Sequence, residues 1–358
     1  MPKESLCLKV PKLLGEKTLE LANKLGLTDK SVQIQKDKRG FYLFIPISRK
    51  PTEIENADIK QHVPESQLDM HVFPDKKQKE KTLAEFLVDQ LPSNLITRLP
   101  RALDVIGDIC IIEIPSELSE YKSVIGEAIL NTHRNVRVVL AKAGKVTGTF
   151  RLRDLDFIAG EKRTKTLYRE YGCSYYVDVA KAYFSPRLSH EHQRVAQLVA
   201  ETETVVDLFA GVGPFAVPIA KNCSSVKVYA IDINPVAIEL LGRNARLNRV
   251  ESRIHPIVGD ARQIFNEKFV GLADRVIMNL PETAHKFIDV ACRAIKLSGG
   301  VIHFYSFMRI PKNIEDIKQS FSKKVADHSR KVERFTYSKP VRETAPYEYQ
   351  IVLDAEIR

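Results

Sequence analysis

From Val205 to Tyr305 the chain alternates short β-branched runs with helical segments, and no other feature restricts its fold as strongly. Val205–Leu208 reads as a strand and Pro214–Lys221 as a helix. Val226–Ile231 is a second strand, followed by a helix over Pro235–Asn248. Ile254–Val258 and Arg275–Met278 are further strands, Thr283–Leu297 a helix, and Gly300–Tyr305 a strand. Apolar runs this short, bounded by turn residues and separated by helices, predict an α/β fold with a doubly wound, mainly parallel sheet. Such sheets bind ligands in the crevice at the carboxyl ends of their strands. The residues just after each strand are therefore the first candidates for a site.

Four of those positions carry polar groups. VVDLFAGVGPF places Asp207 at a strand end, then Phe209, Gly211 and Gly213 before a helix. Glycines there let the backbone approach a ligand closely, and the helix N-terminus faces its negative group. Ala216 stands where the dinucleotide fingerprint needs its third glycine, which lowers that alternative. Asp207 suits an amine on the ligand. The next strand ends in AIDINP, with Asp232 placed for ribose hydroxyls and Ile233 beside it. The third ends in VGDA, offering Asp260 and Ala261 to an adenine edge. The fourth ends in Asn279-Leu280-Pro281-Glu282. The joint pattern resembles class I methyltransferases, and the resemblance implies S-adenosylmethionine as cofactor. Because no cysteine lies at the fourth strand end, covalent chemistry on pyrimidine carbon 5 is disfavoured. Asn279 can hold a planar amide-bearing ligand, and Pro281 stiffens the turn.

The rest of the chain divides by composition. Residues 1–48 read as a small module with a helix near Leu13–Leu27 and a strand at Phe41–Ile47. Residues 49–80 are polar and poorly periodic and read as a linker, within which the LDMHVF stretch is apolar enough to pack. Residues 81–170 form a middle α+β module, and 171–358 the cofactor-binding domain. Lysine and arginine number 55 against 45 acids, a net charge of +10 that favours a polyanionic partner. Five widely spaced cysteines without a CxxC pair suggest buried reduced thiols rather than a zinc site or disulfides. Without a signal peptide or a long apolar run, the chain is expected in the cytoplasm, away from membranes.

Several segments carry a narrower resemblance. YFSPRLSHEHQRV (183–195), VVDLFAGVGPFAVPIA, AIDINP and NLPE look like the archaeal and eukaryotic tRNA guanine-N1 methyltransferases acting at position 37. LPRALDVIGDICIIEIP (99–115), KVPKLLGEKTLELANKLGL and APYEYQIVLD are similar to the same family. The resemblance implies a Rossmann-like catalytic domain, a middle domain for the anticodon stem-loop and an N-terminal module for the tRNA elbow. The implied partner is tRNA, not DNA, and the implied state is a monomer. Glu191 is implied as the base for guanine N1, with helix capping as its plainer role beside a capping Ser189. Arg151 is implied to steady charge at guanine O6, although strand alternation puts Arg153 on the same face. Asn279 is implied at the guanine edge, Tyr183 and Arg187 around the pocket, and His192 at the cofactor. No metal is required by this scheme. Two alternatives stay open: a wyosine-pathway relative, by carbon-7 methylation or aminocarboxypropyl transfer, and a non-catalytic RNA-binding protein.

Overall fold

The N-terminal unit is organised by its first strand, which is flanked on both sides by antiparallel partners. In this computed structural model the chain is described over residues 3–37, 39–74, 82–100, 102–144, 148–264 and 269–358. It divides into two units, Met1–Glu80 and Lys81–Arg358. The first unit runs through β1 (Lys3–Pro11), α1 (Gly15–Lys24), β2 (Gln35–Lys36), β3 (Tyr42–Pro46), α2 (Glu53–His62) and β4 (Gln67–Phe73). Its sheet has the order β2-β3-β1-β4.

The expected linker is a correction. Residues 53–73 complete the first unit, because β4 pairs with β1 over seven positions from Lys3↔Phe73 to Lys9↔Gln67. Thr52 caps α2 in a reciprocal box with Glu55, and Arg49 clamps the same carboxylate at 2.7 Å. The segment looks unstructured in sequence because Ile59 is the one α2 residue in the core and Phe73 is the buried residue of β4. Residues 75–80 of the expected linker lie outside the described residues.

The second unit opens with α3 (Leu83–Leu87), α4 (Ser93–Ile96), β5 (Leu103–Ile106), β6 (Ile109–Ile112), α5 (Lys122–Thr132), β7 (Val138–Lys142) and β8 (Leu155–Gly160). These four strands form one sheet covered by α5, whose Ile125, Ala128 and Ile129 are buried. A hairpin follows, β9 (Lys165–Glu170) and β10 (Cys173–Asp178). The remaining elements are α6 (Ser189–Leu198), β11 (Thr204–Asp207), α7 (Ala216–Asn222), β12 (Lys227–Asp232), α8 (Pro235–Leu247), β13 (Ile254–Val258), α9 (Ala261–Ile264), β14 (Arg275–Met278), α10 (Ile288–Ala294), β15 (Gly300–Arg309), α11 (Ile314–Ala326), β16 (Val332–Ala345) and β17 (Glu348–Ile357).

They build a seven-stranded sheet ordered β13-β12-β11-β14-β15-β17-β16. The first five strands are parallel, as the βαβ alternation dictates, and β17 enters antiparallel beside β15. The strand order reverses between β11 and β14, so the crevice expected of a doubly wound sheet opens there. The helix expected over 283–297 is shorter. A 3-10 turn at Ala284–Lys286 precedes α10, and Ile295 is already extended. Among the described residues no helix is long and apolar enough to cross a membrane. All five cysteines are buried and unpaired.

One buried side chain ties the hairpin to the sheet. Asn244 Oδ1 accepts from the Tyr176 amide at 2.7 Å, while Nδ2 donates to the carbonyls of Tyr176 (3.1 Å) and Val212 (3.0 Å). Asn248 repeats the pairing one turn later on Ser174. Thus α8 satisfies the backbone of β10 as a strand would, and holds the glycine turn from behind. Asn244→Ala leaves several buried backbone groups unpaired and should lower stability by about 2–4 kcal/mol in urea denaturation.

Candidate active site

The carboxyl ends of β11, β12, β13 and β14 converge on a cavity of about 420 Å³. Phe209 and Gly211 line it from the first turn, Asp232 and Ile233 from the second, Asp260 and Ala261 from the third, and Asn279 and Pro281 from the fourth. Tyr183, Arg151 and His192 complete the wall. All of these were expected from sequence. The glycine turn works as read: Gly211 has φ 52° and Gly213 φ 94°, conformations in which a side chain is strained. Gly213 does not line the cavity, however. A Cβ there would lie 3.2 Å from both Leu241 and Val217, so this glycine allows α8 and α7 to pack under the turn.

Asp232 has a structural task as well as an exposed edge. Its Oδ2 accepts from the Gly211 amide at 2.7 Å and its Oδ1 from the Asn234 amide at 2.9 Å. The carboxylate thereby fastens the glycine turn to the β12 loop, leaving its remaining lone pairs for a ligand. Asp260 is held by Arg262, whose guanidinium also lies 4.6 Å over the Phe287 ring. That contact keeps the Asp260 carboxyl below its ordinary range.

Asp207 lies fully buried at the base of the turn. Its Oδ1 accepts from the Phe209 amide at 3.2 Å, and its Oδ2 has no partner. Burial pushes its carboxyl up to about 7, with the Asp232 charge adding to the effect. Asp207 does not line the cavity, so the acceptor expected to face an amine lies enclosed beneath the glycine turn.

The reactive end of the cavity is built from both the middle module and the C-terminal strands. Arg151 sits in a turn at φ 55°, not in a strand. Alternation therefore does not place Arg153 beside it, and Arg153 does not line the cavity. Arg151 Nη2 donates to Glu282 at 2.7 Å, its guanidinium lies 5.6 Å from the Tyr183 ring, and its buried Nε has no partner. Asn279 is oriented by residues that sequence reasoning did not single out. Arg342 donates to Gln350 Oε1 at 2.9 Å, so the Gln350 amide nitrogen must face Asn279, where it donates to Oδ1 at 3.3 Å. The Asn279 Nδ2 group is left to the cavity. Phe307 lines the same wall. Gln350 does fall inside APYEYQIVLD, but nothing in the sequence marks it as facing Asn279.

Three expected positions differ. Arg187 points away and donates to Asp104 of β5 at 2.6 Å, joining the middle module to the turn before α6. Ser189 provides no cap, because a 3-10 turn over Pro186–Leu188 runs straight into α6. Glu191 is buried, but its carboxylate faces Arg194 and Tyr305 instead of the cavity. Its neighbours Leu188 and His192 do line the wall. His192 is fixed by a 2.8 Å contact between Nδ1 and Glu170 and by an edge-on contact with Phe215.

The raised Asp207 carboxyl has a consequence for stability. The folded state keeps this proton up to about pH 7, whereas an unfolded carboxyl loses it near its ordinary value of 3.8. Between those limits the fold binds more protons, so the contribution is present at low pH and is lost as pH rises through 7. Asp207→Asn should therefore raise stability above pH 7 by roughly 2–4 kcal/mol and make no difference near pH 4. Denaturant titrations at the two pH values measure this.

Comparison with known proteins agrees with the geometry. Residues 166–333 match the TRM5/TYW2 methyltransferase domain, 83–164 the TYW2 N-terminal domain and 7–55 the tRNA methyltransferase 5 N-terminal domain. The chain is 37% identical, over 99% of both proteins, to the tRNA (guanine(37)-N(1))-methyltransferase Trm5b of Pyrococcus abyssi. It is 34% identical to the tRNA 4-demethylwyosine(37)-methyltransferase Taw21 of Saccharolobus solfataricus, over 76% of this chain and 98% of that protein. A solved complex of aTrm5 with tRNALeu superposes with a TM-score of 0.70 at 35% identity, covering 99% of this chain and 100% of that one. By fold and by near full-length likeness, this chain belongs to the TRM5/TYW2 methyltransferase family.

Proposed function

We propose that this chain transfers the methyl group of S-adenosylmethionine to N1 of guanosine 37 in tRNA. The observation that carries the reading is the pairing of two features in one cavity. The β12 and β13 ends offer Asp232 and Asp260 to a nucleoside, and Asn279 at the β14 end together with Arg151 faces a planar base. Full-length likeness to a protein named for this activity supports it.

S-adenosylmethionine, when bound, supplies an electrophilic methyl group. The chain's residues do the rest. Asp232 accepts from the ribose hydroxyls of the cofactor, and the Asp260–Ala261 turn borders its adenine. Guanine N1 carries a proton at neutral pH, so its removal places negative charge on O6. The unpaired Nε of Arg151 and the free Nδ2 of Asn279 are donors for that oxygen and the base edge. Glu191 takes the N1 proton after a side-chain rotation toward the cavity. The Tyr183 ring, half exposed beside Arg151, offers a surface against which an unstacked base can rest.

The two units divide the recognition of tRNA. Residues 82–358 hold the catalytic candidates and the anticodon stem-loop surface, and the N-terminal unit contacts the tRNA elbow. The protein acts as a monomer. The likeness to Taw21 favours a second reading, methylation of carbon 7 in a tricyclic guanosine derivative. Nucleoside analysis after incubation with tRNA bearing guanosine or 4-demethylwyosine separates the two: 1-methylguanosine alone supports the first.

Glu191→Gln keeps the side-chain shape but cannot accept the proton. It should retain tRNA and cofactor binding and lose about 10²- to 10⁴-fold in single-turnover rate. A wild-type rate would return Glu191 to a structural role.

Removing residues 1–80 tests the division of labour. The truncated protein should methylate an isolated anticodon stem-loop as well as the full chain does. It should also lose the advantage that full-length tRNA enjoys, since the second contact raises effective concentration. A preserved advantage for full tRNA would refute an elbow-binding role.

A further inference from the structure

A carboxamide such as that of Asn279 can present either of two ends to a substrate. Nδ2 donates, Oδ1 accepts, and the two ends are nearly equal in size. Which end faces the cavity is decided by what lies behind the side chain. Gln350 of β17 occupies that place, paired across the sheet with Phe307 of β15 and Arg342 of β16. It is only 1% exposed, so water offers its amide few alternative partners. Arg342 Nε donates to Gln350 Oε1 at 2.9 Å, and Gln350 Nε2 donates to Asn279 Oδ1 at 3.3 Å.

This chain runs in one direction only. A guanidinium has no acceptor, so a reversed Gln350 would set its NH2 group against Arg342. A reversed Asn279 would set its own NH2 group against that of Gln350. Each reversal brings two donors together and leaves a buried acceptor unmatched. The open end of the chain is Asn279 Nδ2, which has no partner among the described residues and borders the cavity. The cavity therefore meets a donor at this point. Guanine carries an oxygen at C6, which gains negative charge as N1 loses its proton, whereas adenine carries an amino group there. A fixed donor matches the oxygen and opposes the amino group, and an opposed pair of this kind discriminates more sharply than a difference in shape.

We propose that Gln350, held by Arg342, is a positioning residue that makes the site select a purine with oxygen at C6 over one with an amino group there. It acts through Asn279, by fixing which end of that amide faces the base. The proposal rests on the reading that Asn279 faces the edge of guanosine 37.

The test reverses the chain at its middle member. Gln350→Glu keeps the shape and the bond to Arg342, but sets an oxygen against Asn279, whose Nδ2 then turns inward and whose Oδ1 turns to the cavity. Single-turnover methylation of a guanosine-37 tRNA transcript at saturating S-adenosylmethionine should slow about 10- to 100-fold. A transcript with adenosine at position 37, added as a competitor, should inhibit this variant more strongly than the wild-type protein. Gln350→Met directs the amide neither way and should slow methylation less. In an Asn279→Ala background both substitutions should cost nothing further, because the group they act through is gone. Thermal melting checks the fold of each variant. An unchanged rate in Gln350→Glu, a loss that persists in the Asn279→Ala background, or inhibition by the adenosine transcript that stays the same or weakens overturns the proposal and leaves Asn279 at the base edge. A wild-type rate in Asn279→Ala alone removes the base-edge reading and the proposal with it. Should Gln350→Glu fail to fold, Gln350→Met decides, and a loss of equal size with and without Asn279 overturns the proposal.

Discussion

One face of the antiparallel ladder between β15 and β17 organises the reactive half of the molecule. The register sets His303 opposite Asp354, Tyr305 opposite Val352, and Phe307 opposite Gln350. Side chains two apart on a strand share a face, so all six point the same way. Val352 and Tyr305 join the core packed by α6, α7 and α8, whereas Ile351 and Leu353 join the opposite core. The polar members of this face reach Arg194 and Asn279. A parallel sheet alone would deliver only strand ends to the crevice. The antiparallel return delivers strand interiors, and with them the groups that hold Glu191 and Asn279 in place.

Orientation in the cavity then follows from donor-only residues. Arg342 can bond only the oxygen of Gln350, which turns the amide of Gln350 and in turn that of Asn279. Arg275 does the same for the His303 ring, and Glu282 anchors one arm of Arg151 while its Nε stays free. Such orientation places donors before the substrate arrives, which is where electrostatic catalysis gains most. Asp207 and Asp232 are the counterpart around the glycine turn. One has an unused oxygen under the turn, and the other spends its inner lone pairs on backbone amides.

The cofactor half was legible because its signals are local. A strand end, a glycine turn and an acid lie within ten residues of one another, and the structure brings Phe209 and Gly211 of that turn to one cavity with Asp232 and Asp260. Arg187 and Gly213 depart from expectation for a physical reason: sequence proximity to a cavity does not give side-chain direction. Gly213 makes room for Leu241 and Val217, and Arg187 reaches Asp104, over eighty positions earlier. Residues 53–73 look like a linker in sequence because one face of α2 and β4 is polar, and pairing with β1 is non-local. Arg194, Asp354 and His303 were invisible for a similar reason. Each is unremarkable alone, and contacts separated by 160 and 51 positions carry no periodic signature.

Burying that chain of charges would be costly if any member lacked a partner. Instead each cation is shared between acceptors: Arg194 between Glu191 and Asp354, Arg275 among Glu203, His303 and the Leu198 carbonyl. A shared cation tolerates a change at one acceptor, since the other keeps it bonded. That property separates Glu191 from an ordinary salt-bridged glutamate. A rotation of Glu191 toward the cavity gives up bonds to Arg194 and Tyr305. Arg194 stays anchored by Asp354 and Tyr337 and remains where the carboxylate can return to it.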